Sequence, residues 1–171
     1  MRWRVRVGDI LDEPADVLIC SANPFLTLSG GVGGALLLRY GNSFQQELQD
    51  RLDRGRRRFF DRGTIVITHP KGVPYRAIIH AIAGNAFYES SPETIANTVN
   101  APLLAAASTD ATNVALAALA TGYGRMRIAD FGRGPSELLT KEYPPKEQVT
   151  VVIKSGSGAG ELHPDSHLYH E

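Results

Sequence analysis

The feature that most constrains this chain is a run with no polar residue to break it. After Asp16, Val17-Leu18-Ile19-Cys20 is continuously apolar and too short for a buried helix. A run of that kind is a strand covered on both faces, so the chain needs a layer of structure on each side of its sheet. Thr64 to Thr68, Ala77 to Ile82, Asn113 to Leu119 and Val149 to Ile153 are further β-rich runs. The segment Arg2-Trp-Arg-Val-Arg-Val7 differs, because its arginines alternate with apolar residues. That period of two predicts a half-exposed strand near a sheet edge. Helical stretches lie between these runs. Ala35 to about Leu52 carries helical apolar spacing, broken near Gly41 and Asn42. Ser91-Pro92-Glu93 opens another helix with a serine N-cap, proline at the first position and an acid in the first turn, predicting helix to about Ala107. A weaker helix is expected from Ile128 to about Thr140. Strands alternating with helices predict an α/β domain with helices on both faces of a largely parallel or mixed sheet of about six strands.

Composition narrows the class. With 171 residues the chain is long enough for one domain with a sizeable core. Eighteen basic residues balance eighteen acidic ones, which argues against a general nucleic-acid coat or a membrane-surface protein. No apolar run approaches the roughly 20 residues of a transmembrane helix. Cys20 is the one cysteine and cannot form an internal disulfide, so a reducing cytoplasm is the expected compartment. The expected domain is 1–154, and the Gly/Ser-rich, then His-rich, segment 155–171 reads as a tail.

Two glycine clusters follow apolar strands: Gly30-Gly-Val-Gly-Gly34, and Thr121-Gly-Tyr-Gly124. In open α/β sheets ligands bind beyond the carboxyl ends of the strands. A glycine loop entering a helix offers unpaired amides and a positive dipole end, which suits phosphate. No Gly-Lys-Ser/Thr follows, and Gly31-Val32-Gly33 lacks the third glycine of the dinucleotide fingerprint. The residues alone therefore point to a phosphorylated, nucleotide-like small molecule, with ligand-free tight turns as the alternative.

In order along residues 8–125, the chain resembles the macrodomain family. The matching segments are Gly8-Asp9-Ile10, Ser21-Ala22-Asn23-Pro24, Gly30-Gly31-Val32-Gly33-Gly34-Ala35-Leu36, Gly63 to Thr68, Ile78-Ile79-His80 and Ala118 to Gly124. The resemblance implies a three-layer α/β/α fold that binds ADP-ribose without a metal or other cofactor. It implies that Asp9 accepts from the adenine amino group and that Ile10 lines the adenine slot. Ala22 and Asn23 then lie at the distal ribose, where Asn23 supports hydrolysis in active members. Gly30, Gly31, Val32 and Gly33 would face the distal ribose and diphosphate, and Thr121, Gly122, Tyr123 and Gly124 the opposite wall. The most active subgroup carries an aspartate where this chain has Gly33. Three readings follow from the resemblance: a hydrolase of ADP-ribosyl groups or O-acetyl-ADP-ribose, a reader of ADP-ribosylated protein, or a scaffold without the ligand that serves as an interaction surface for protein or, through Arg54–Arg62, for nucleic acid.

Other clusters carry alternative readings. Cys20 and His80 form either a thiol with its base or a buried structural pair. Arg54, Arg56, Arg57, Arg58 and Arg62 suit phosphates, yet read first as a solvated face, with Phe59 and Phe60 anchored in the core, so nucleic acid is not the expected partner. One of Arg125, Arg127 and Arg133 is placed to assist a diphosphate. His163, His167 and His170 read as part of the tail in preference to a metal site.

Overall fold

The apolar runs pair into one six-stranded sheet. In this computed structural model, residues 2–84, 91–121, 127, 131 and 147–154 are described. The strands are β1 (Arg2–Val7), β2 (Val17–Ala22), β3 (Ile65–Thr68), β4 (Ala77–Ile82), β5 (Asn113–Ala117) and β6 (Gln148–Ile153). Their spatial order is β1-β6-β5-β2-β4-β3. All neighbouring pairs are parallel except β3 with β4. The helices are α1 (Gly31–Tyr40), α2 (Ser43–Arg54) and α3 (Pro92–Ala107). Val17 to Cys20 and Ala77 to Ile82 are buried at every position, so the centre of the sheet is covered on both faces. The result is the expected three-layer α/β/α arrangement, with α1 packed on β2 and α3 on β3 and β4. No helix among the described residues is long and apolar enough to cross a membrane.

β1 lies at one edge, as its alternation predicts. Trp3 is buried while Arg2, Arg4 and Arg6 are exposed, and Arg6 donates to Glu13 at 2.7 Å. α3 starts where its signals place it: the Thr94 amide donates to the Ser91 hydroxyl, and Pro92 occupies the first turn. Pro102 sits inside that helix and has no N–H to give. Two boundaries differ from expectation. β5 stops at Ala117, because residues 118–121 form a turn in which Ala120 has φ +63°. α1 begins at Gly31, four residues before Ala35, so the glycines are its first turn and not a loop ahead of it. The expected helix 128–140 (Phe131 apart), the glycines and tyrosine of 122–124, Arg125, Arg133 and the segment 155–171 lie outside the described residues.

Among the described residues, a polar chain runs through the interior. Cys20 Sγ lies 3.6 Å from His80 Nδ1, and His80 Nε2 lies 3.1 Å from Thr68 Oγ1, which donates to the Ile78 carbonyl at 3.4 Å. Since the Thr68 hydroxyl donates to a carbonyl, its oxygen accepts from His80 Nε2–H, leaving Nδ1 to accept from the thiol. Burial pushes the Cys20 thiol up to about 12 and His80 down to about 4, so both stay neutral. A neutral thiol held in the core is the structural pair, and neither group lines the cavity described below. At the opposite end of β2, burial works against the Asp16 carboxylate. The Asn113 and Thr112 amides, the Thr112 hydroxyl and nearby Arg76 outweigh it and hold the carboxyl below its ordinary value.

His80 makes stability depend on pH. Its folded value is depressed, so between 6.5 and about 4 the unfolded chain binds the extra proton and stability falls as pH falls. The loss amounts to about 3 kcal/mol across that window. The Asp16 contribution is lost only at more acid pH, as its carboxylate protonates. Urea unfolding at a series of pH values is expected to show that slope in the parent and a flattened one in His80→Gln; equal slopes in both would remove His80 as its cause.

Candidate functional site

Five parallel strands end at one edge of the sheet, and the segments leaving them enclose a cavity of about 570 Å³. Asp9, Ile10, Ala22, Asn23, Gly30, Gly31, Val32, Gly33 and Thr121 all line it. Gly122, Tyr123 and Gly124, expected on the same wall, lie outside the described residues.

The wall after β1 is built on Asp9. Its Oδ1 accepts from the Leu11 amide at 2.9 Å, capping a 3₁₀ turn over Ile10–Asp12 that buries Ile10. Its Oδ2 accepts from Arg39 at 3.1 Å, and Arg39 also donates to Asp12 at 2.7 Å. Arg39 stands in the last turn of α1, where a cation is favoured by the helix dipole. Nothing local in the sequence links residue 39 to residue 9.

The wall after β2 is the segment from Asn23 to Gly30. The Asn23 side chain is turned onto this loop: Oδ1 accepts from the Phe25 and Thr27 amides at 3.0 and 3.2 Å, and Nδ2 donates to the Thr27 carbonyl at 2.6 Å. With both acceptor sites filled, its amide has one N–H left for a ligand. From α2, Gln45 accepts from the Leu28 amide at 2.7 Å and donates to the Leu26 carbonyl at 3.1 Å. Leu26 itself holds φ +52°, a left-handed conformation unusual for leucine, while almost wholly buried. Strain of this kind persists only where the surroundings enforce it.

The loop leads into the first turn of α1. Gly30 is the N-cap and supplies no side-chain cap; the first bond inside the helix runs from the Gly34 amide to the Gly30 carbonyl at 3.0 Å. The amides of Gly31, Val32 and Gly33 therefore have no partner among the described residues. Gly31 requires its identity, with φ +56°. Gly33 is tightly placed. A Cβ there would lie 3.0 Å from Leu28 Cδ2, so the leucine side chain would have to give by a few tenths of an ångström. The facing wall after β5 is the turn 118–121. The Ala120 amide donates to the Ser21 hydroxyl at 3.0 Å, and the Thr121 hydroxyl to the Ala118 carbonyl at 2.7 Å. Lys154, at the end of β6, completes the lining. Among the described lining residues, Asp9 and Lys154 carry the ionisable side chains, and no three His, Cys, Asp or Glu side chains gather as metal ligands.

A family model for the Macro domain matches residues 19–131. The chain belongs to the Macro domain family. Its fold is that of the Oceanobacillus iheyensis macrodomain solved with ADP, with TM-score 0.75 and 21% identity, covering 88% of this chain and 81% of that one. The Trypanosoma brucei macrodomain solved with ADP-ribose gives 0.70 and 16%, covering 86% and 62%. The macrodomain of Thermus aquaticus DarG gives 0.69 and 18%, covering 88% and 97%. At these identities the likeness is one of fold. An uncharacterized protein of Pyrobaculum aerophilum is 29% identical over 115 residues, 67% of this chain and 62% of its own length. Another, from Thermotoga maritima, is 28% identical over 171 residues, 96% of this chain but 25% of its own. The chain thus spans less than two thirds of either curated relative.

The contact between Leu28 and Gly33 gives an aspartate at this position of the macrodomain a steric cost. Substituting Gly33→Asp drives a side chain into Leu28, a conflict that Leu28→Ala relieves. Thermal and urea unfolding of the two single variants and the double variant are expected to be non-additive, with Gly33→Asp better tolerated by about 1 kcal/mol or more in the Leu28→Ala background. Equal cost in both backgrounds would show that Leu28 is no obstacle.

Proposed function

We propose that this macrodomain binds ADP-ribose, free or attached to a protein, in the cavity at the carboxyl ends of its parallel strands. The observation that carries the reading is the placement of α1. Its first turn presents three unpartnered amides to the cavity, and its last turn holds Asp9 through Arg39. Eight helical steps separate Gly31 from Arg39, roughly 12 Å of axis. One elongated ligand can therefore set a diphosphate on the amides and its adenine amino group near the Asp9 carboxylate. The resemblance assigns those two roles to the same residues, and solved relatives of this fold hold ADP and ADP-ribose.

Two observations favour binding over hydrolysis. The carbonyl oxygen of Asn23 is occupied by two loop amides, and position 33 holds a glycine where the resemblance places the aspartate of the most active members. In this reading Asn23 shapes the wall and offers a single N–H to the distal ribose.

Calorimetric titration with ADP-ribose, with AMP as the comparison, tests the proposal. Micromolar affinity is expected, weakened about tenfold or more by Asp9→Asn, which keeps the turn-capping oxygen but loses the carboxylate. The absence of both heat and a thermal shift at millimolar ligand would overturn it. Release of ADP-ribose from a modified protein above the buffer rate would replace binding with hydrolysis.

A further inference from the structure

The arginine-rich segment after α2 differs from its sequence reading in one respect that changes what it can do. Phe59 is not a core anchor: it is 50% exposed, and its ring meets that of Phe25, itself 41% exposed, edge to face at 6.4 Å. Phe60 is half-buried, with the Arg57 guanidinium 5.6 Å from its ring centre. Residues 51–62 hold six arginines against two aspartates. Arg51 and Arg54 pair at 3.9 Å with Glu47 and Asp50 one helical turn away, and such pairs contribute little; Arg51 also donates to the Ile67 carbonyl at 3.3 Å. Among the described residues, Arg56, Arg57, Arg58 and Arg62 are in no ion pair.

Arg51, Arg54, Arg57 and His69 line an open groove of about 860 Å³ along the edge strand β3. The groove is joined to the cavity by one hydrogen bond. Phe60, on its wall, donates its amide to the carbonyl of Pro24, which lines the cavity, at 2.9 Å. Of the arginines without an ion pair, Arg57 lines this groove and Arg56 and Arg58 flank it in the chain, while Phe59 and Phe25 adjoin Phe60 and Pro24, the two ends of that hydrogen bond.

We propose that this groove and the Phe25–Phe59 pair form a second binding surface, for single-stranded nucleic acid. The arginines neutralise backbone phosphates, and the exposed rings take unpaired bases by stacking, which every base permits. An acidic protein segment would answer the charge but leave both rings in water. A duplex would offer phosphates but no free base faces. The balanced charge of the whole chain is compatible with this surface, because the excess of four positive charges is local to residues 51–62, six arginines less two aspartates. The proposal goes beyond ADP-ribose binding and stands or falls without it, since the probe carries no ADP-ribose.

Fluorescence anisotropy with a labelled single-stranded RNA of about ten nucleotides tests it. At low salt, binding in the micromolar range is expected, tighter than to a duplex of equal length. Neutralising about four phosphates predicts a loss of roughly 50-fold between about 50 and 200 mM salt. The combined Arg56→Ala, Arg57→Ala and Arg58→Ala variant should weaken binding about tenfold or more with an unchanged unfolding midpoint. Lysine at the same three positions should retain most of the affinity, and Phe59→Ala should lose about fivefold or more. The proposal is overturned by no anisotropy change at tens of micromolar protein, or by equal binding in parent and variants. Tighter binding of the duplex would overturn it as well, and so would a glutamate-rich peptide that competes as well as the oligonucleotide.

Discussion

Everything at the cavity depends on the register of β2 between its two parallel neighbours, β4 and β5. In a strand with one wet face, alternation of apolar and polar residues sets register, because a one-residue slip turns the core face outward. β2 has no such device over Val17 to Cys20, which are buried on both faces. Its polar contacts supply what the apolar run cannot. At the entry, Asp16 takes three hydrogen bonds from Thr112 and Asn113. In the middle, Cys20 meets His80, and at the exit the Ser21 hydroxyl accepts from the Ala120 amide. A slip would break all three at once and leave the buried Cys20 and His80 without each other, at about 1–3 kcal/mol for each unsatisfied buried group. The Ser21–Ala120 bond also sets the distance between the two loops on which the ligand reading relies.

Elements whose signals are local were legible in the residues. The paired strands follow from apolar runs, the edge position of β1 from its alternating arginines, and α3 from Ser91 and Pro92 at its start. The start of α1 was not, because glycine is a poor helix former and its conformational freedom reads as a loop. Here glycine suits the first turn because Gly31 holds positive φ and a Cβ at Gly33 would press on the Leu28 methyl. The membership of the cavity was readable from the motif segments, but the work of each side chain within it was not. Asn23 looks like a ligand contact in sequence and spends most of its amide on the loop. Arg39 and Gln45 act across gaps of 30 and 17 residues, which no local pattern encodes. Phe59 was misread because aromatics beside arginines resemble core anchors until the backbone places them.

The segment from Asn23 to Gly30 is the wall that the cavity and the arginine groove have in common, and it is held from three directions. Asn23 ties it internally, Gln45 and Gln49 reach it from α2, and Phe60 bonds it from the arginine segment. Communication between two sites requires an element with two arrangements that both ligands bias. A wall pinned at its start, middle and flank favours one arrangement, so occupancy of the cavity has no obvious lever on the groove. The coupling that remains is geometric. A single molecule bearing both chemistries, a nucleotide group for the cavity and a phosphate chain for the groove, gains through effective concentration, because binding one part holds the other nearby. That gain needs no conformational change and is largest when the shared wall is rigid, since little ordering is then left to oppose the second contact. The same hydrogen bonds that withdraw Asn23 from free contact with a ligand are therefore the ones that make this wall a fixed junction between the two surfaces.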